Sequence, residues 1–132
     1  MAWLIAYFAS ALVMGGLDFL WLTNTRAIYQ RALGPALAEQ PDMRAAVAFY
    51  LLYLVGVMIF AVRPALAGGD WRLATLYGAL FGFFAYATYD LTNLATLKTF
   101  TLQATLYDLA WGTFITATAA TAGALAALKF AR

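Results

Sequence analysis

A chain of 132 residues has room for one domain. Hydrophobic residues make up 65% of it and charged residues 11%, against roughly 25% charge in a soluble domain, so its natural solvent is lipid. A net charge of +2 with no basic cluster excludes nucleic acid as a partner. The absence of Cys and His excludes thiol chemistry, imidazole bases and the usual zinc and haem ligand sets, and Ser10, the one serine, has no histidine to activate it.

Four apolar stretches are each long enough for a helix of about 20 residues across a hydrocarbon core of about 30 Å. The first runs from Trp3 to Thr23, interrupted by Asp18. It has no basic residues before it and is longer than a signal-peptide core, so it reads as a retained helix. The link from Asn24 to Arg44 carries Arg26 and Arg31, with Leu33-Gly34-Pro35 in its middle. Its Ile28, Leu33 and Leu37 suit a short amphipathic segment lying along the interface, or an irregular loop. The second helix spans Ala45 to Val62 and is expected to stop at Arg63-Pro64, because proline disfavours helical geometry in the residue before it. A Gly68-Gly69-Asp70 turn leads to a third helix, Leu73 to about Leu94. The link from Thr96 to Gln103 leads to a fourth, about Ala104 to Leu128. The expected fold is thus all-α, an integral membrane four-helix bundle forming a single transmembrane domain, with both termini on the same side.

Arg63, Arg72, Lys129 and Arg132 fall on one side, and Arg26, Arg31, Arg44 and Lys98 on the other. With the charges so balanced, the positive-inside rule prefers neither orientation. The terminal amine and the basic C-terminus favour termini in the cytoplasm.

Asp18, Asp90 and Asp108 stand out, because a charge at mid-bilayer costs about 2.5–3.5 kcal/mol on insertion scales and such residues usually face the bundle interior with a role. In an alternating bundle all three fall toward the same membrane face, with Tyr50 and Tyr53 of the second helix at similar depth. Helical spacing puts Gly78, Gly82, Tyr86, Tyr89 and Asn93 on one stripe with Asp90 at its edge. Asp108, Gly112, Thr116, Ala119 and Gly123 form a second, small-residue stripe suited to packing. Trp21 follows Asp18 by three residues, and Trp111 follows Asp108 by three. The candidate ligand-binding set is therefore Asp18, Trp21, Tyr50, Tyr53, Tyr86, Tyr89, Asp90, Asn93, Lys98, Asp108 and Trp111. Asp18, Asp90 and Asp108 are also the candidate metal ligands. Such a pocket suits a cation, a proton, or Mg²⁺ at a lipid head group. The plainer alternative is that Arg26, Arg44 and Lys98 neutralise the aspartates, and that the aromatics form an ordinary interfacial belt.

The string Tyr86-Ala87-Thr88-Tyr89-Asp90-Leu91-Thr92-Asn93-Leu94-Ala95-Thr96-Leu97-Lys98 carries a resemblance, together with Leu17-Asp18-Phe19-Leu20-Trp21-Leu22, Phe49-Tyr50-Leu51-Leu52-Tyr53 and Asp108-Leu109-Ala110-Trp111-Gly112. Over essentially its whole length the chain resembles the bacterial domain-of-unknown-function family numbered 2177, small predicted integral membrane proteins. Phe100 stands where the family pattern has an aromatic, often Trp. The resemblance implies a multi-pass protein of the bacterial inner membrane and no catalytic assignment.

Three functions fit these residues. The first is binding or transport of a cation, proton or small ligand in an Asp/Tyr/Trp-lined pocket opening to one membrane face, with self-association enlarging the small enclosed volume. The second is a membrane enzyme acting on a lipid or isoprenoid, although the paired Asp-Asp-x-x-Asp of prenyl transferases is missing. The third is an accessory subunit of a larger membrane complex, the glycine-rich faces being its contact surfaces. No cofactor is specified by any of them.

Overall fold

The computed structural model describes residues 1–131. Arg132, one of the charges on the terminal side, lies outside the described residues. Helix α1 spans Ala2–Leu33, α2 Met43–Val57, α3 Arg63–Gly68, α4 Trp71–Thr96 and α5 Leu102–Phe130. One π-helical turn, Met58–Val62, joins α2 to α3, so residues 43–68 form a single rod. The molecule is thus an all-α bundle of four rods.

The first rod differs from expectation at its end. Helix α1 continues ten residues past Thr23 and ends only at Gly34, whose φ of 56° is a conformation that favours glycine. Its polar residues Asn24 and Arg26 do not stop it, because Thr25, Ile28 and Ala32 continue an inward-facing stripe at helical spacing. Ala32 is buried with Phe100 and Ala104, and Ile28, Leu33 and Leu94 pack around them. The Thr99 hydroxyl donates to the Ala32 carbonyl at 2.8 Å. Ile28 and Leu33 therefore belong to the bundle rather than to a separate interfacial segment, while Leu37 is exposed.

The second rod does not stop at Arg63-Pro64. The wider turn, closed by the Arg63 N–H on the Met58 carbonyl, accommodates the missing N–H of Pro64, which sits in the first turn of α3. The rod then ends at Gly69, left-handed at φ 66°. Helices α4 and α5 start on side-chain caps: Asp70 accepts from the Arg72 N–H and Thr101 from the Ala104 N–H, each at 3.0 Å.

Helix α5 is the centre of the bundle, packed along α4 on one side and α1 on the other, with the π-turn behind. Its inward face is mostly small: Gly112, Thr116, Ala119, Ala120, Gly123, Ala124 and Ala127 are all buried. Gly78 and Gly82 of α4 let the two backbones close. A Cβ at Gly78 would stand 2.9 Å from the Ala120 Cβ, and one at Gly82 would run into the Gly112 carbonyl and Thr116. At the terminal end Ser10 donates to the Ala119 carbonyl at 2.8 Å, and Gly123 lies against Ala6 and Ser10. The start of α1 therefore meets the end of α5, and both chain ends lie at the same end of the bundle.

The outer surface is apolar. Leu12, Phe19, Leu52 and Phe84 are 78%, 68%, 73% and 64% exposed, a surface that water would not tolerate and lipid requires. Residues 2–36, 43–68 and 102–130 are long and apolar enough to cross a membrane. Helix α4, with 26 residues, has the length at about 1.5 Å per residue, but Tyr86, Tyr89, Asp90, Thr92 and Asn93 make its second half more polar.

Candidate functional site

The polar half of the bundle is built around the first turns of α5. Asp108 is 7% exposed and points between α1 and α4, and the Tyr29 hydroxyl donates to its Oδ1 at 2.5 Å. Tyr29 also accepts from the Trp21 indole N–H at 2.9 Å. The Trp21 ring stacks on Trp111, with centroids 4.5 Å apart and planes within 5°. The Trp111 indole N–H donates to Asp18 Oδ1 at 3.1 Å, and the Tyr50 hydroxyl donates to the other Asp18 oxygen. Two aspartates on different helices are thus joined through a stacked indole pair and a tyrosine.

Asp90 is different. It is fully buried in α4, and its carboxyl oxygens meet no N–H or hydroxyl donor among the described residues; its polar neighbour is the Asp108 carboxyl, with which it can share a proton. A buried, unpaired carboxyl is costly in any interior and especially in a bilayer. Two neighbouring carboxyls in a low-dielectric setting need a proton shared between them or a cation. The basic residues offered as the plainer alternative form no ion pair with the trio among the described residues. Arg26, Arg44 and Lys98 are exposed, and the one ion pair among the described residues is Arg44 with Asp42 at the start of α2.

The aromatic candidates fall into two groups. Trp21, Tyr50 and Trp111 serve the α1 side of the network. Tyr53, Tyr86 and Tyr89 line a cavity of about 640 Å³ between α2 and α4, together with Phe49, Leu52, Phe81, Ala85 and the Asp108 carboxyl. The Tyr53 hydroxyl is anchored on Thr116 Oγ1 at 2.8 Å, and the Tyr86 ring lies against Gly112, where a Cβ would fill the space it occupies. The glycine stripe of α5 thus lets a tyrosine close onto the helix one turn from Asp108. Asn93, half-buried, lies one turn beyond Tyr89. Lys98 stands exposed in the link after α4 and takes no part.

Two expectations change. Asp18 is not near a helix end but near the middle of α1, because that helix continues to Leu33; it lies level with Trp111, one turn deeper than Asp108. Nor do the three aspartates make a metal cage: among the described residues no three carboxylates come together closely enough to hold a metal ion. The hydrogen bonds of Asp18 and Asp108 run to tyrosine and tryptophan instead. Tyr29 is the site residue missing from the candidate set. It lies beyond Thr23, the expected end of the first helix, and the inward stripe Trp21, Thr25, Ile28, Ala32 is the signal that places it.

No curated protein and no solved structure matches the chain. The family model described as predicted membrane protein (DUF2177) matches residues 3–125, which include every residue of the network and the cavity, and the chain belongs to that family.

Proposed function

We propose that this protein of the bacterial inner membrane binds a small cationic ligand at the polar end of its bundle, with Asp108 as the contact and Asp90 as the second carboxyl behind it. The observation that carries the reading is the fully buried Asp90 carboxyl without a partner among the described residues, next to an Asp108 carboxyl that lines a cavity. Such a pair takes either a shared proton or a cation, and no lysine or arginine among the described residues forms an ion pair with it. The lack of a three-carboxylate cluster among those residues favours an organic cation over a bare metal ion, and the tyrosine walls suit one, since aromatic faces attract cations. Binding of this kind would serve uptake, export or sensing alike.

The stacked Trp21–Trp111 pair, wired to Asp18 and through Tyr29 to Asp108, is a built-in reporter. Titrating the purified protein in a non-ionic detergent with tetramethylammonium should change its tryptophan fluorescence saturably. Asp108→Asn should remove that response, and Asp108→Glu should retain part of it. A flat titration, or one unchanged in Asp108→Asn, sinks the reading.

A further inference from the structure

We infer that the ligand is an amphiphile, a lipophilic amine or quaternary ammonium compound, which enters sideways from the bilayer between α2 and α4. This rests on the cation-site reading and adds the class of ligand and its route. The backbone supplies the opening. Helix α4 packs closely on the π-turn and α3, whereas its backbone stands off from that of α2, and the gap is bridged by side chains: Tyr53 against Phe81 and Tyr86, and Phe81 against Gly56. The parting lies on the Met43 side of the π-turn, which is itself packed on α4.

The side chains grade the cleft from lipid to charge. At its rim Phe49 and Leu52 are 52% and 73% exposed, and Ala85 and Tyr89 are exposed opposite them. Further in, Tyr53 is 7% exposed and Tyr86 half-buried, and at the floor stands Asp108. The cavity of about 640 Å³ falls within the range of about 300–1,000 Å³ typical of pockets for small organic molecules, and far exceeds the needs of an ion. Its lining has one carboxylic acid and no basic residue, so a fatty acid or a phosphate head group meets repulsion, while a cationic head meets a carboxylate among aromatic rings. An apolar rim has no use to a water-borne ion and matches a chain already dissolved in the bilayer.

The test is photolabelling in phosphatidylcholine nanodiscs. The probe is dodecyltrimethylammonium with a diazirine in its chain, and the control is the uncharged dodecanol analogue. Adducts mapped by mass spectrometry should concentrate at residues 49–53 and 81–89. Asp108→Asn should reduce them about tenfold, the scale of one charge-assisted contact, and Asp108→Glu should restore them in part. Leu52→Trp, at the exposed rim, should block the cleft and reduce the same adducts. Equal labelling by the alcohol, or adducts spread over the lipid-facing sides of α1 and α5, overturns the inference while leaving the cation site standing if tetramethylammonium still binds. Loss of both responses sinks the site reading as well.

Discussion

The two ends of the bundle solve the same packing problem in opposite ways. At the terminal end small residues meet backbone: Ser10 reaches the Ala119 carbonyl, Gly78 meets Ala120, and Thr75 and Thr121 share a hydrogen bond of 2.5 Å across α4 and α5. At the other end large aromatic side chains and carboxyls fill the space, a cavity remains, and Asp90 is buried without a partner among the described residues. At the terminal end the buried hydroxyls are paired, and the hollow of about 480 Å³ beside Thr75 and Thr121 is apolar and holds no carboxyl. The other tolerates an unsatisfied carboxyl of the kind that a structural core would exchange for leucine, which is the reason to look for the proposed function there.

That contrast can be broken or sharpened by substitution. The largest effect belongs to the tight helix contact: Gly82→Leu should force α4 from α5 and cost about 3 kcal/mol, read as early unfolding in a denaturant titration in mixed micelles. A tolerated leucine would mean that the helices are not in close contact. At the polar end, Asp18→Ala leaves the Trp111 indole and the Tyr50 hydroxyl without their acceptor and should cost about 2 kcal/mol, with a shift in tryptophan emission. Asp90→Asn should go the other way. Replacing an unpaired carboxyl by an amide that can donate to Asp108 should stabilise the protein by about 1 kcal/mol while weakening tetramethylammonium binding. Loss of stability in Asp90→Asn would make that carboxyl a structural element and erase the asymmetry. The smallest effect is Thr75→Val, which removes one interhelical hydrogen bond worth about 0.6 kcal/mol in a membrane setting and should leave ligand binding unaltered.

Much of this architecture is legible in the chain because the bilayer demands it. A length of about 20 apolar residues per crossing marks the rods, and glycines at four-residue spacing mark the α4–α5 contact. The aspartates are legible because a charge in an apolar run is costly enough to need a reason. The two rod ends that differ from expectation have a common cause. Asn24 and Arg26, or Arg63-Pro64, are locally unfavourable, yet the cost is offset elsewhere: by the packing of Ile28 and Ala32 on Phe100 in one case, and by a π-turn in the other. Tertiary contact overrides local preference at the first place, which brings Tyr29 into the site, and a local backbone adjustment does so at the second.

Hydrophobicity and helical period act along the chain, so its residues alone mark a helical membrane protein, the approximate course of four rods and three carboxyls inside apolar helices. The partners of those carboxyls are set by how the helices pack. Asp18 is held by Trp111 and Tyr50, Asp108 by Tyr29, and Asp90 by no partner among the described residues. Which donor meets which acceptor depends on the depth and rotation of neighbouring helices, set here by the glycine contacts of α4 with α5 and the π-turn beside α2, and no spacing within one helix encodes that.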